Sequence, residues 1–509
     1  MLFICVFVFL HNFLLNINSI YMKLYKNLQA NTSAIKNIVT SDDIIYFDFK
    51  INNLNATIIY SETISDKDVI GKLVIQPLTN TKTISCYNEI INELSLPEVE
   101  ELNDIDKCVQ KIVMGDSVLL IDGCEFAVSL ATKKPSTRAV TEPPTASVLK
   151  GPREGFVESL QINVSLIRQR IKSENLAYEK LTCGKYSQTT IGIIYIKGIV
   201  NEKLVKNVKE KINKINVDGI LDSSTVIKNI SNRKTSLFKE IGTTEKPDIL
   251  TAKILEGRIG ILVDGSPICL TIPFLLVEDF QSAEDYYLNT YRANVSRALR
   301  FSAVIVAVLL PAFFVAAQLF HLQLIPLNFL LTIVGSIKGI PLSPSVEMFV
   351  TLFIFEVLNE ASIRMPKYVG IAMSVVGALV LGETAVNAGI VSTPTIMIVA
   401  LSGICIYTVP DLTETLSVLR LMFLIIAGSL GGYGVLLFGF SLITYLASID
   451  SFGVPYLAPY SPLIKNDLED GITKSFYVEN TKRPKVLNTS NKVRRRFKWK
   501  IVYRKGSCL

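Results

Sequence analysis

The 509-residue chain is 49% hydrophobic, with a mean hydropathy of +0.39 and a formal net charge of +7, a balance too apolar for an ordinary soluble protein of this size. Its two histidines, His11 and His321, and eight cysteines without a close C-x-x-C pair give a metal centre or a catalytic triad almost nothing to be built from. Much of the local positive excess lies in the terminal stretch 492–505, with Arg494, Arg495, Arg496, Lys498 and Lys500, which beside a membrane domain reads as a cytoplasmic, lipid-facing or orienting tail and not as a nucleic-acid surface.

Residues 1–21 are strongly apolar but lack the basic start and small-residue cleavage site of an export signal. They read as a misassigned start or a non-essential extension ahead of Met22, with a membrane anchor as the alternative. From 22 to 298 the composition is that of a globular protein, and short β-branched runs alternate with polar, helix-compatible stretches, the pattern of an α/β or α+β region. Two subdomains, 22–132 and 153–298, resemble one another in sequence. TIIYSETI at 57–64 is echoed by GIIYIKGI at 192–199, and GDSVLLIDG at 115–123 by GRIGILVDG at 257–265, in the same order. The pairs Asp122, Gly123 and Asp264, Gly265 suit tight hairpin turns. Between the halves, residues 133–152 carry Pro135, Pro143, Pro144 and Pro152 among polar residues and read as an extended linker.

From 299 to 449 charges nearly vanish over stretches of membrane-spanning length, so the fold class is an α/β region of two related subdomains followed by an α-helical multi-pass membrane domain. Residues 301–320 form one span, kinked at Pro311. The stretch 324–337 is short for a span, and 346–363 contains Glu347, Glu356 and Glu360. Residues 368–388 and 390–409 follow as a pair. The run 416–449 is long enough for one tilted or broken helix, with Gly431, Gly432 and Gly434 marking the break. Arg292, Arg297 and Arg300 before the first span, Arg364 and Lys367 in a short loop, and the basic tail of the 450–509 segment all place their flanks in the cytoplasm, which favours four or six crossings.

The run KGPREGFVESLQINVSLIRQR at 150–170 resembles the signature of the GerA (GerABKA) family of spore germination A subunits. LEGRIGILVDGSP at 255–267, FEVLNEASIRMP at 355–366, GALVLGETAVNAGIVS at 377–392 and SFGVPYLAP at 451–459 resemble further family motifs. The resemblance spans residues 22–462; Asn359, Lys246 and the polar stretch 383–387 depart from the family pattern. It implies the A subunit of a nutrient germinant receptor in the spore inner membrane, a homo-oligomer in contact with membrane lipid. It also implies a multi-pass B subunit and a C-subunit lipoprotein as partners, and neither cofactor nor catalysis. A germinant-gated ion-conducting component is the expected activity, with a secondary transporter as the alternative.

Two sets of residues are candidates for that function. Gly151, Pro152, Arg153, Glu154, Gly155, Phe156, Glu158, Asn163, Arg168 and Arg170 form a candidate coupling motif, either a polar switch or a capped helix whose charges bridge subdomains or subunits. Glu356, Glu360, Glu383 and Asn387 form a candidate ion pathway. Glu356 and Glu360 lie four apart on one helical face, where carboxylates are costly unless they meet water, a cation or a basic partner. For Glu360 that partner is available one turn on, in Arg364.

Overall fold

The computed structural model describes residues 23–52, 54–80, 94, 96–134, 150–366, 369–370, 377, 380–475 and 481–494. The N-terminal extension, most of the linker, residues 368, 371–376, 378 and 379 of the span expected at 368–388, and the tail beyond 494 lie outside the described residues. Two compact units divide the chain. The first takes in the chain up to Ser231, Ile241–Pro273 and the segment from Lys482; the second takes in Asn232–Glu240 and Phe274–Thr481. The division therefore falls at 273/274 and not at the composition boundary at 298/299, because the residues leading into the first long helix pack with that helix.

The first half of unit one runs α1 (Leu28–Ile38), β1 (Ile44–Ile51), β2 (Leu54–Ser61), a helical stretch α2 at 67–80, β3 (Val99–Leu102), α3 (Ile105–Met114), β4 (Ser117–Ile121) and β5 (Ala127–Leu130). These strands form one antiparallel sheet in the order β1-β2-β4-β5-β3. The second half repeats it. Here α4 (Leu160–Arg170) precedes β6 (Leu176–Cys183) and β7 (Thr189–Ile196), followed by α5 (Glu202–Asn213), α6 (Ser223–Ile230), β8 (Gly242–Thr244), α7 (Pro247–Glu256), β9 (Ile259–Val263) and β10 (Cys269–Ile272). Its antiparallel order, β6-β7-β9-β10-β8, is the same. β4 and β9 are buried along their whole length, as the apolar runs VLLI and IGILV require, with the buried Ser117 hydroxyl bonded to that of Thr132.

The repeat extends to single hydrogen bonds. Asn31 in α1 donates to the Tyr25 carbonyl and accepts from the Tyr25 amide; Asn163 in α4 does the same with Val157. The expected Asp-Gly turns join β4 to β5 and β9 to β10, and each Asp has a second role. Asp122 accepts from the Leu28 amide at the start of α1 (3.2 Å) and Asp264 from the Leu160 amide at the start of α4 (3.1 Å), satisfying an N-terminal amide that the helix itself leaves open. Gly115 and Gly257, with φ of 105° and 102°, end α3 and α7 in the left-handed conformation that glycine adopts without a Cβ penalty.

Residues 482–494 return to unit one. Val486 and Leu487 are buried, Arg483 donates to the carbonyls of Leu255 (2.9 Å) and Val493 (2.7 Å), and the Ser490 amide donates to the Ile199 carbonyl.

Unit two is helical: α8 (Thr290–Phe320), α9 (Leu327–Ile337), α10 (Pro344–Arg364), α11 (Thr393–Ile406) and α12 (Thr413–Ala447). Among the described residues two helical stretches, Thr290–Phe320 and Pro410–Ala447, are long and apolar enough to cross a membrane. α9 has 11 residues and is about 16 Å long, short of a hydrocarbon core of about 30 Å. α10 carries Glu347, Glu356, Glu360 and Arg364 among its apolar residues.

α12 is two helices. At Gly431 the backbone turns to φ 61°, ψ −153°, a region restricted to glycine, and a Cβ there would lie 2.8 Å from the Phe320 ring. The rings of Phe423 and Phe438 are 4.7 Å apart, edge to face, although fifteen residues of straight helix would separate them by roughly 22 Å. Thr415 and Tyr445, near the two ends, both reach residues 236–237 by hydrogen bonds. The break expected from the glycines is thus a reversal, and both arms pack on α8 through a core that includes Ala307, Ala312, Leu419, Phe423, Ala427 and Val435.

Candidate functional site

The sequence candidates fall into two separate places, one in each unit. In unit one the coupling motif leads into α4. Phe156 is buried in the second-half core, its amide bonded to the Glu245 carbonyl, and the Glu158 carbonyl accepts from the Gly265 amide in the β9–β10 turn. Gly151 takes φ 126° at the start of the stretch, Gly155 is buried, and Pro152, Arg153 and Glu154 lie toward the surface. Asn163 locks the segment as described above.

The two arginines of α4 diverge. Arg170 pairs with Glu154 on the surface and donates to the Leu166 carbonyl. Arg168 is 1% exposed and crosses to the first half, where Nη2 and Nε meet the two carboxylate oxygens of Asp43 at 2.6 and 2.8 Å, and Nη2 also meets Ser41 Oγ at 2.7 Å. Bidentate pairing gives both oxygens of the buried carboxylate a charged donor. Burial pushes the Asp43 carboxyl up, but the charge and hydrogen bonds of Arg168, with Ser41 and Ser61, outweigh it and hold the pKa below the usual carboxylate value. Within the motif, Arg168 is the residue that joins the two halves of unit one. Sequence reasoning did not single out Asp43, which precedes a strand without any motif of its own.

In unit two, Glu356 of α10 meets a partner that sequence analysis also missed. Arg420 in α12 is fully buried, donates to Glu356 Oε1 and to Ser402 Oγ of α11 (2.9 Å), and lies 5.8 Å from the centre of the Phe355 ring. Ser402 in turn donates to the Ala307 carbonyl of α8 at 2.7 Å. One polar node thus joins α8, α10, α11 and α12. The signal was present: Arg420 is the one basic residue in the apolar run Thr413–Ala447, and an isolated charge in such a run demands a partner.

Glu360 pairs with Arg364 one turn on, at 2.7 Å, both exposed. Glu383 and Asn387 are exposed. Glu347, named earlier only as part of its helix, is 1% exposed and accepts from the amide and the hydroxyl of Ser392, both at 2.7 Å. Of the departing residues, Lys246 is buried at the start of α7 and Asn359 accepts from the Tyr407 hydroxyl.

A second charge cluster closes the foot of unit two. Asp285 accepts from Arg297 (3.1 Å) and Arg300 (2.7 Å) at the start of α8, Asp470 accepts from Arg297 (2.9 Å), and Lys474 donates to the Asp285 carbonyl (2.7 Å). Residues after the last helix are so tied to residues before the first.

The profile of the family described as Bacillus/Clostridium GerA spore germination protein matches residues 32–486. This chain belongs to the GerA family. It is 36% identical over 468 residues to Spore germination protein KA of Bacillus subtilis (strain 168), covering 90% of this chain and 86% of that one. It is 32% identical over 441 residues to Spore germination protein GerLA of Bacillus cereus, covering 84% and 88%. Among solved structures, the N-terminal domain of the A subunit of the Bacillus megaterium spore germinant receptor GerK3 is similar at 27% identity, over 50% of this chain and 98% of that one, with a TM-score of 0.40. The GerA match takes in both the α4 motif and the Glu356–Arg420 node.

Proposed function

We propose that this chain is the A subunit of a nutrient germinant receptor in the inner membrane of the spore, where it oligomerises and conducts ions when germinant binds. A multi-pass B subunit and a lipoprotein C subunit are its partners in this reading, and the activity is non-catalytic. The family supports the receptor role, and the observation that carries the membrane mechanism is the Glu356–Arg420–Ser402 node. Arg420, buried among four helices, is costly without its partner Glu356, and the pair gives a closed arrangement that a second arrangement can exchange.

Two contacts support a bundle that enters and leaves on one side, hence an even number of crossings. Residues 482–494 pack on the soluble unit that precedes the membrane helices, and the Asp285 cluster ties 470–474 to the start of α8. The two arms of α12 then count as two crossings. Glu383 and Asn387, exposed on unit two, are assigned to a pathway completed by neighbouring subunits. Glu360, paired with Arg364, is placed at its mouth, and Glu356 holds the bundle closed.

The test is nutrient-triggered cation release from spores carrying Glu356→Gln, Glu360→Gln or Glu383→Gln, with receptor abundance measured alongside. Slower release or altered selectivity for Glu383→Gln at normal abundance supports the pathway, and unchanged release in all three variants removes it. A secondary transporter is the second reading, favoured by the broken helix at Gly431; flux coupled stoichiometrically to a second solute, in place of a passive current, would establish it.

A further inference from the structure

The two halves of unit one meet head to tail, and among the described residues the repeat leaves one copy of that contact unused. In the contact, the 41–43 loop ahead of β1 covers the outer edge of β6. The Asp42 amide donates to the Tyr178 carbonyl (2.9 Å), the Tyr178 amide to Ser41 Oγ (3.1 Å), and the Lys180 amide to Asp42 Oδ2 (2.8 Å). Arg168 grips Asp43, and Lys180 pairs with Glu62 at 2.7 Å.

Each of these residues has a counterpart in the other half, established by backbone geometry. The Glu62 amide bonds the Asp43 carbonyl as the Lys197 amide bonds that of Asn175, and the Ile44 amide bonds the Ser41 carbonyl as the Leu176 amide bonds that of Ser173. Tyr46 faces Ile59 across β1 and β2 as Tyr178 faces Ile194 across β6 and β7. Val39 closes α1 on Ile35 as Ile171 closes α4 on Ile167. The gripping surface Arg168, Tyr178, Lys180 therefore corresponds to Lys36, Tyr46, Asp48, and the receiving surface Ser41, Asp42, Asp43, Glu62 to Ser173, Glu174, Asn175, Lys197.

We propose that a second copy of this chain repeats the contact, its 173–175 loop covering the outer edge of β1 in the first copy. β1 and β6 are the edge strands of their sheets. At β6 the edge is covered and Tyr178 is 1% exposed; at β1 Phe47 is 45% exposed, Asp48 is exposed and Tyr46 is half-buried, its hydroxyl buried without a partner among the described residues. An open strand edge is a template for pairing.

Complementarity survives the substitutions between the halves. The serine and the tyrosine are retained, and Glu174 replaces Asp42 as the acid. The flanking ion pair is reversed in sign, since Lys180 with Glu62 becomes Asp48 with Lys197. Lys36, Glu174, Asn175 and Lys197 are exposed, and so is Asp48, whose Oδ1 accepts from the Thr57 hydroxyl (2.6 Å). Only the buried grip is softened, from Arg168 with Asp43 to Lys36 with Asn175, so the contact between chains is the weaker and more salt-sensitive of the two. Being head to tail, it joins unlike surfaces and propagates from copy to copy.

This inference rests on the homo-oligomer of the proposed function and gives it an interface. Full-length chains carrying Asp48→Cys and differently tagged full-length chains carrying Lys197→Cys are co-expressed in membranes and oxidised. The expected product is a disulfide-linked heterodimer, several-fold weakened by Glu174→Lys and by raised salt. Without engineered cysteines, Asp48→Lys or Lys197→Asp lowers the oligomer several-fold and the two together restore it, which damage within one half would not do. An intact oligomer on native gels without the 48–197 cross-link overturns this contact and leaves the oligomeric reading standing. Absence of any oligomer overturns both.

Discussion

Two buried arginines, one in each unit, solve the same problem differently. Arg168 reaches Asp43 with two nitrogens and takes a serine hydroxyl as well, so that both oxygens of a fully buried carboxylate are paired. Arg420 reaches Glu356 with one nitrogen and shares a serine with α8, and Glu356 keeps 23% of its side-chain surface exposed. The first arrangement suits a permanent joint between two folded halves. The second suits a joint that can be released, because a partner with open surface can be exchanged for water or another group.

Cutting each pair measures that difference. Asp43→Ala strands a fully buried guanidinium and is expected to destabilise unit one by about 3–5 kcal/mol, read as loss of resistance to proteolysis across 23–273 in the detergent-solubilised protein. Replacing both partners by apolar residues should recover most of the loss; no recovery would mean that the pair does more than neutralise itself. Acid offers a second cut. Because the Asp43 pKa is lowered in the fold, its contribution is complete above the unfolded carboxylate value of about 3.9 and disappears as pH falls through the folded value. Protection should therefore be level from pH 8 to 5 and fall below about pH 4, and Asp43→Asn should remove that component of the acid step.

In the membrane arrangement proposed above, Arg420→Met should cost less, about 1–2 kcal/mol, the range of polar contacts between membrane helices. The readout is receptor abundance together with leak of cations from dormant spores. A leak at normal abundance identifies the pair as a closing contact, and unaltered dormancy makes it a packing contact. Smallest is Glu360→Gln, since the exposed Glu360–Arg364 pair is worth about 0.3–0.5 kcal/mol; abundance should not change, and a large drop would reveal a partner that this subunit alone does not supply.

The repeat was legible in part. The echoing strands and the Asp-Gly turns were plain, and with them an α/β region of two halves. The match LQANTSAIK at 28–36 with LQINVSLIR at 160–168 went unread, although it aligns Lys36 with Arg168 and carries the asparagine lock of both helices. The reversal at Gly431 was visible as a glycine-rich break, but its direction was not, since one residue with φ 61° permits many exit angles and only contacts such as Phe423 with Phe438 select one. Of the candidate charges, Glu360 with Arg364 followed from helical spacing alone.

By itself the sequence determined whatever depends on neighbours a few residues apart: strand and helix periodicity, turn chemistry, helix caps, the apolar lengths of α8 and α12, and the motifs that mark the GerA family. The tertiary structure decided which charges are paired. Arg168 finds Asp43 across 125 positions and Arg420 finds Glu356 across 64, and neither choice is written in local pattern. Each is settled by which helix packs against which strand or helix, and by the cost of leaving an ion buried without its counterion.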